Sequence, residues 1–173
     1  MNTREKQPQR KLTRLRGYDY STPGYYFITI CTKGKKHLFG KISNGKMSLN
    51  NAGKIASQEI LKIDSHYINI RIDKHVVMPN HIHMIVIISE TERINPFPTI
   101  RYDIPNVIGK YKASVSRIVG NAFMHSVKKS IWQRSYHDHI IRGEKDYQKI
   151  WEYIDTNTER WEDDCFYSDE TEL

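Results

Sequence analysis

Two histidines stand two residues apart, His81 and His83, inside the string Met78-Pro79-Asn80-His81-Ile82-His83-Met84-Ile85-Val86. Alternate residues of a strand point to the same face, so the two imidazoles project together while Ile82, Met84 and Val86 point into the core. Two imidazoles on one face can share one metal ion, held rigid by their apolar neighbours. A polar pair on a solvent-facing strand is the plainer alternative for a bare His-x-His. A metal site also needs a third ligand or a reacting group. The last helix offers both. At about 100° per residue, Tyr147, Ile150, Trp151 and Ile154 form an apolar stripe, Tyr153 lies off it, and Asn157 shares the flank of Tyr153. A tyrosine off the stripe can present its hydroxyl for chemistry, and an amide oxygen beside it can reach a hard cation. The alternative is a tyrosine that packs by its ring at the border of core and solvent.

A second dense stretch is Trp132-Gln133-Arg134-Ser135-Tyr136-His137-Asp138-His139. Tyr136, Asp138 and His139 are candidates for nucleophile, carboxylate ligand and histidine ligand. Strand alternation puts Tyr136 and Asp138 on one face and His137 and His139 on the other, so they cannot all line one site. Basic residues gather in an arm over 1–17, including Arg10, Lys11, Arg14 and Arg16. Others lie on the polar face of a long helix, Lys110 and Arg117, and at Lys128-Lys129. Such groups contact phosphates or simply solvate a surface.

The elements that must carry these residues follow from pattern. YYFITICT after Ser21-Thr22-Pro23-Gly24 predicts a strand, with a partner strand at HLFGKI. Asn44-Gly45 predicts a hairpin turn into Lys46–Ser48. Asn50 or Asn51 caps a helix over 52–64, with Ile55, Ile60, Leu61 and Ile63 as apolar contacts. Strands over 68–78 and 81–88, linked by Pro79-Asn80, read as a hairpin. A loop over 90–105, a helix over 105–126, a strand over 131–141 and a helix over 144–157 complete the chain. This order specifies an α+β domain, most economically a ferredoxin-like βαββαβ core with a mostly antiparallel sheet.

The chain has 173 residues, enough for one domain with a full core. Lys plus Arg is 27 against 20 acids, a formal +7, and the pI is near 9.3. Six of the acids lie after residue 161, which leaves +13 on residues 1–161. A body that basic favours a polyanionic partner, nucleic acid before a membrane surface. The longest apolar run is too short to span a bilayer, and the first residues have no apolar signal core. Two cysteines are too few for a disulfide scaffold and suggest reduced thiols in a cytoplasmic protein.

Taken together, the chain resembles the single-tyrosine HUH transposases of the insertion-sequence type, and within them the REP-associated tyrosine transposases. The resemblance runs from about Arg14 to about Trp161. It is carried by Arg16-Gly17-Tyr18-Asp19-Tyr20, the Phe27–Cys31 strand, Val76 to His83, Trp132-Gln133, Asp138-His139, Arg142, Asp146-Tyr147, and Tyr153-Ile154-Asp155-Thr156-Asn157. It implies a catalytic domain over 18–161, flanked by the basic arm and an acidic tail over 162–173. It further implies a metal-dependent DNA strand transferase. His81 and His83 match the paired histidines that bind Mg²⁺ or Mn²⁺, Tyr153 the nucleophile, and Asn157 the third-ligand position. Tyr136 is then not the nucleophile, and His139 matches a family histidine of accessory role. The residue after Asn157 is Thr158, where the family commonly has Pro. The implied substrate is single-stranded DNA beside a palindromic hairpin, gripped by the arm and by the Lys110–Arg117 helix. The product is a 5′-phosphotyrosine link with a free 3′-OH, made by a monomer or a homodimer in the bacterial cytoplasm at the nucleoid. Two other classes compete: a zinc hydrolase using His81, His83 and Asp138, and a non-catalytic nucleic-acid-binding domain.

Overall fold

A computed structural model describes residues 15, 17–90, 102–123 and 130–169. Arg10, Lys11, Arg14, Arg16 and Lys128-Lys129, assigned above to DNA, lie outside the described residues. Strand β1, Gly24–Cys31, is followed by a 3-10 turn at Lys33–Lys35. Strands β2, Gly40–Ser43, and β3, Lys46–Leu49, form a hairpin. Its turn residues Asn44 and Gly45 both have positive φ, 52° and 70°, the backbone that an Asn-Gly turn supplies. This hairpin is a separate two-stranded sheet. The segment HLFGKI is therefore not the partner of β1, whose neighbours come from much later in the chain.

Helix α1, Asn51–Leu61, is capped by the Asn50 side chain, which accepts from the Gly53 amide at 2.9 Å. Ala52, Ala56 and Ile60 form its buried line, while Leu61, expected in the core, is 65% exposed just past that line. A Cβ at Gly53 would stand 2.1 Å from the Phe39 carbonyl oxygen, so only glycine lets α1 approach there. A single turn, α2 (Ile63–His66), leads to strands β4, Ile70–Val77, and β5, His81–Ile88. The two-residue-scale link at Pro79-Asn80 makes them the expected hairpin, with a bulge between Ile72 and Lys74. Helix α3, Ile104–Phe123, buries Ile104, Val107, Ile108, Tyr111, Val115 and Val119 at helical spacing. Strand β6 is only His137–Ile141. Ile131 and Trp132 are buried, but Trp132 makes only an isolated bridge to Thr32, just past the end of β1, rather than extending a strand. Helix α4, Glu144–Thr156, and a 3-10 turn at Trp161–Asp163 finish the described chain.

The main sheet has the order β4-β5-β1-β6, antiparallel throughout. With α1 and α3 as the crossovers, this is the ferredoxin-like βαββαβ arrangement expected. Register fixes which side chains share a face. Thr29 pairs with His83 and Cys31 with His81, so β1 and β5 present these residues together. The opposite face carries Ile28, Ile30, Ile82, Met84 and Val86 into the main core beneath α1 and α3. Helix α4 covers the histidine-bearing face, where Ile85, Ile141 and Ile154 form a second, smaller core.

Candidate active site

His81 and His83 point to the same side of β5, as alternation requires, but neither faces solvent: both are fully buried. Their Nε2 atoms lie 2.9 Å apart. Burial depresses both pKa values, strongly for His81, where the neighbouring His83 adds to it and Asp164 opposes; for His83, Asp164 again opposes. Both rings are therefore neutral, which leaves lone pairs available for ligation.

Helix α4 brings Tyr153 and Asn157 to this pair. Its buried face differs from the stripe read from sequence. Tyr147, Ile150, Tyr153 and Ile154 pack on the sheet. Trp151 is 38% exposed, with the Lys74 ammonium 3.5 Å above its ring. Tyr153 is thus part of the packed face: its ring meets Phe27 edge-on at 6.0 Å and His83 at 5.1 Å. Its hydroxyl lies 3.1 Å from His83 Nε2. Asn157, with Thr158 rather than Pro after it, still ends the helix in α geometry and is buried.

The fifth member is Asp164, which lies within the acidic tail expected over 162–173. The chain turns back after α4, and Trp161, Asp164 and Phe166 close over the histidines. Trp161 and Phe166 lie 5.8 Å and 5.0 Å from the His81 ring. Asp164 Oδ2 accepts from the Tyr153 hydroxyl and from Asn157 Nδ2, both at 2.6 Å, and lies 3.6 Å from His83 Nε2 and 3.9 Å from His81 Nε2. Its Oδ1 accepts from the Phe166 amide at 2.6 Å. Burial pushes the Asp164 pKa up, but these hydrogen bonds outweigh it and hold the carboxyl well below its ordinary value. The reverse applies to Tyr153, whose pKa is raised first by burial and then by the adjacent carboxylate.

A ligand atom from each of His81, His83 and Asp164 lies within 4.8 Å of the others. Asn157 Oδ1 is buried without a hydrogen-bond partner among the described residues. Two imidazole nitrogens, a carboxylate oxygen and an orphaned amide oxygen are a donor set that suits a divalent cation, so the residues present fit a metal. A cavity of about 330 Å³ opens onto this cluster, lined by Tyr153, Asn157 and Asp164, with Lys149 and Arg160 alongside Glu152 and Asp163 at its sides.

Other sequence candidates lie elsewhere. Tyr136 is buried in the main core, and Asp138 accepts from the Tyr20 hydroxyl at 2.5 Å on that same side of the sheet. Asp138 therefore cannot be the carboxylate partner of His81 and His83. His139 is exposed on the histidine-bearing face of the sheet, opposite Phe27 on β1, and pairs with Asp146 at 2.8 Å. Lys110 and Arg117 are exposed on α3, across the sheet from Tyr153. The Lys110 ammonium lies 4.9 Å from the Tyr102 ring centre. Among the described residues no helix is long and apolar enough to cross a membrane, and both cysteines are free.

No protein-family model matches the chain. An uncharacterized protein of Haemophilus influenzae is 38% identical over 172 residues, covering 92% of this chain and 94% of the relative. A REP-associated tyrosine transposase, solved bound to a REP hairpin, superposes with a TM-score of 0.61 at 22% identity, over 86% of this chain and 73% of that one. The chain belongs to one family with the Haemophilus influenzae protein, and its fold is that of a REP-associated tyrosine transposase.

Proposed function

We propose that this chain is a metal-dependent single-stranded DNA endonuclease and strand transferase, cutting and rejoining DNA beside a hairpin through a 5′-phosphotyrosine link. One observation carries the reading: the Tyr153 hydroxyl lies between a buried histidine pair and a carboxylate that accepts its proton. A phenol has a pKa near 10 and is a weak nucleophile unless assisted. Asp164 Oδ2, the acceptor in the existing hydrogen bond, takes the proton as the Tyr153 oxygen forms a bond to phosphorus. The bond from phosphorus to the 3′-oxygen breaks, that oxygen takes a proton from water and leaves as a 3′-OH, and Asp164 returns the proton it took to the solvent. Attack by another 3′-OH reverses the sequence and rejoins strands. A divalent ion held by His81, His83, Asn157 and Asp164 would supply stabilisation of charge on the phosphate oxygens. Lys149 and Arg160, which share the cavity wall with Glu152 and Asp163, are the cations placed to contact phosphates of the entering strand.

The hairpin reading is supported by the nucleic acid bound to the structurally similar transposase. Lys110, Arg117 and the basic arm with Arg10, Lys11, Arg14 and Arg16 are proposed to hold the stem. The ion is proposed as Mg²⁺ or Mn²⁺, the working unit as a monomer or homodimer, and His139 as accessory. The test uses a labelled single-stranded hairpin with Mg²⁺ or Mn²⁺ on a denaturing gel. The parent gives a protein–DNA band, Tyr153→Phe gives none, and Tyr136→Phe keeps it. A band that survives Tyr153→Phe overturns the assignment. Hydrolysis without a covalent band, retained in Tyr153→Phe, would instead mark a zinc-type hydrolase built on His81, His83 and Asp164.

A further inference from the structure

Asn80 is 1% exposed and sits between His81 and the returning C-terminal stretch. Its amide nitrogen donates to the Phe166 carbonyl oxygen and to the Ser168 hydroxyl oxygen, both at 3.0 Å. A backbone carbonyl only accepts. The Ser168 hydroxyl sends its own proton to the Lys35 carbonyl at 3.2 Å, so its oxygen also acts as an acceptor for Asn80. The NH₂ end of the amide must therefore face Phe166 and Ser168, and the carbonyl end must face His81. His81 Nδ1 lies 2.7 Å from Asn80 Oδ1. An amide oxygen cannot donate, so the proton in that bond belongs to Nδ1. A neutral imidazole carries one proton, which leaves His81 Nε2 as a bare lone pair aimed at the cluster.

His83 is held differently. Its Nδ1 lies 2.8 Å from the Thr29 hydroxyl, a group that both donates and accepts. His83 can therefore give its Nε2 proton to the lone pair of His81, 2.9 Å away, or carry its proton on Nδ1 and turn a lone pair inward. An amide turned end for end at Asn80 would instead press its NH₂ against His81 Nδ1 and force that proton to Nε2, where it blocks ligation.

We infer that Asn80 is a positioning residue that converts the Phe166 and Ser168 hydrogen bonds into one fixed tautomer of His81, keeping Nε2 free for a cation while Thr29 leaves His83 adaptable. This rests on reading His81 and His83 as metal ligands. Partners that orient a ligating histidine typically matter about 10- to 100-fold in metal affinity.

The test records the ¹⁵N shifts and two-bond couplings of His81 in the metal-free full chain, then titrates Mn²⁺ by electron paramagnetic resonance. The parent shows Nδ1–H at His81. Asn80→Ala loses that preference and weakens Mn²⁺ binding about 10- to 100-fold. Asn80→Asp keeps an acceptor toward Nδ1 but cannot donate to Phe166, so it recovers the tautomer with only part of the affinity, and an Asn80→Asp protein without the Nδ1–H tautomer overturns the inference. An Nε2–H tautomer in the parent overturns the inference without any variant having to fold. So does an Asn80→Ala protein whose tautomer and Mn²⁺ affinity match the parent. A parent with the Nδ1–H tautomer and no Mn²⁺ binding supports the tautomer lock and sinks the metal reading of the site, so the two failures are distinguishable.

Discussion

The two faces of the main sheet are buried equally and built on opposite principles. Beneath α1 and α3, Ile28, Ile30, Ile82, Met84 and Val86 belong to the large hydrophobic core, where packing volume dominates stability, with the Asp138–Tyr20 pair at its β6 side. Beneath α4 and the C-terminal stretch, Thr29, His81, His83, Asn157 and Asp164 are equally buried but polar. Burying them is tolerable because nearly every donor and acceptor is matched. The apolar face can accept substitutions of similar shape, whereas the polar face depends on each partner, and among the described residues Asn157 Oδ1 lies buried there without a hydrogen-bond partner.

The largest effect should come from the apolar face. Met84→Ala removes a fully buried side chain and should cost about 2–5 kcal/mol in denaturant titration, with Mn²⁺ affinity of the folded protein unchanged. His83→Ala should do the converse, abolishing Mn²⁺ binding at a smaller cost in stability. If Met84→Ala loses metal binding while still folded, the faces are not independent. Asp164→Asn comes next. It places an NH₂ among donors and should destabilise the closed stretch by about 1–3 kcal/mol. It should also lower the Tyr153 pKa, though not to its ordinary value, because burial is the larger cause. Ultraviolet titration of the phenolate reads this directly.

Thiol chemistry gives the smallest effect. Burial pushes Cys31, on β1 opposite His81, from 9.0 up to about 12. Iodoacetamide at mildly alkaline pH should label exposed Cys165 and spare Cys31. Since the folded pKa is the higher one, the Cys31 contribution to stability is whole below pH 9 and fades as the pH climbs toward 12. A Cys31 that labels as fast as Cys165 would show the histidine face to be open.

Much of this was legible in the sequence. Strand alternation put His81 and His83 on one face, and the order of elements gave the ferredoxin-like sheet. Helical spacing put Tyr153 and Asn157 on one flank. The apolar stripe of α4 was misread because Trp151 counts as apolar by type, whereas its ring serves as a platform for Lys74 at the surface. Asp164 was not found because it belongs to a run of acids after residue 161, the usual mark of a solvated tail. The signal available was the interleaving of Trp161, Phe166 and Tyr167 with those acids, since aromatic residues at that density are costly to leave in water. Strand β2 was paired with β1 by proximity in sequence, which carries no information about which edge a hairpin joins.

The histidine pair also has a consequence for strand alignment. From Met84 to Ile88 every residue of β5 is apolar and buried. Such a run fits either face, and sliding it by one position against β1 would exchange one aliphatic surface for another at little cost. His81 and His83 break that degeneracy. A one-residue slip would drive both imidazoles under α1 and α3, away from Thr29, Asn80 and Asp164, each losing about 1–3 kcal/mol for unmatched buried groups. The residues proposed for catalysis thereby act as alignment marks that allow a strand of interchangeable hydrophobes one way to sit in its sheet.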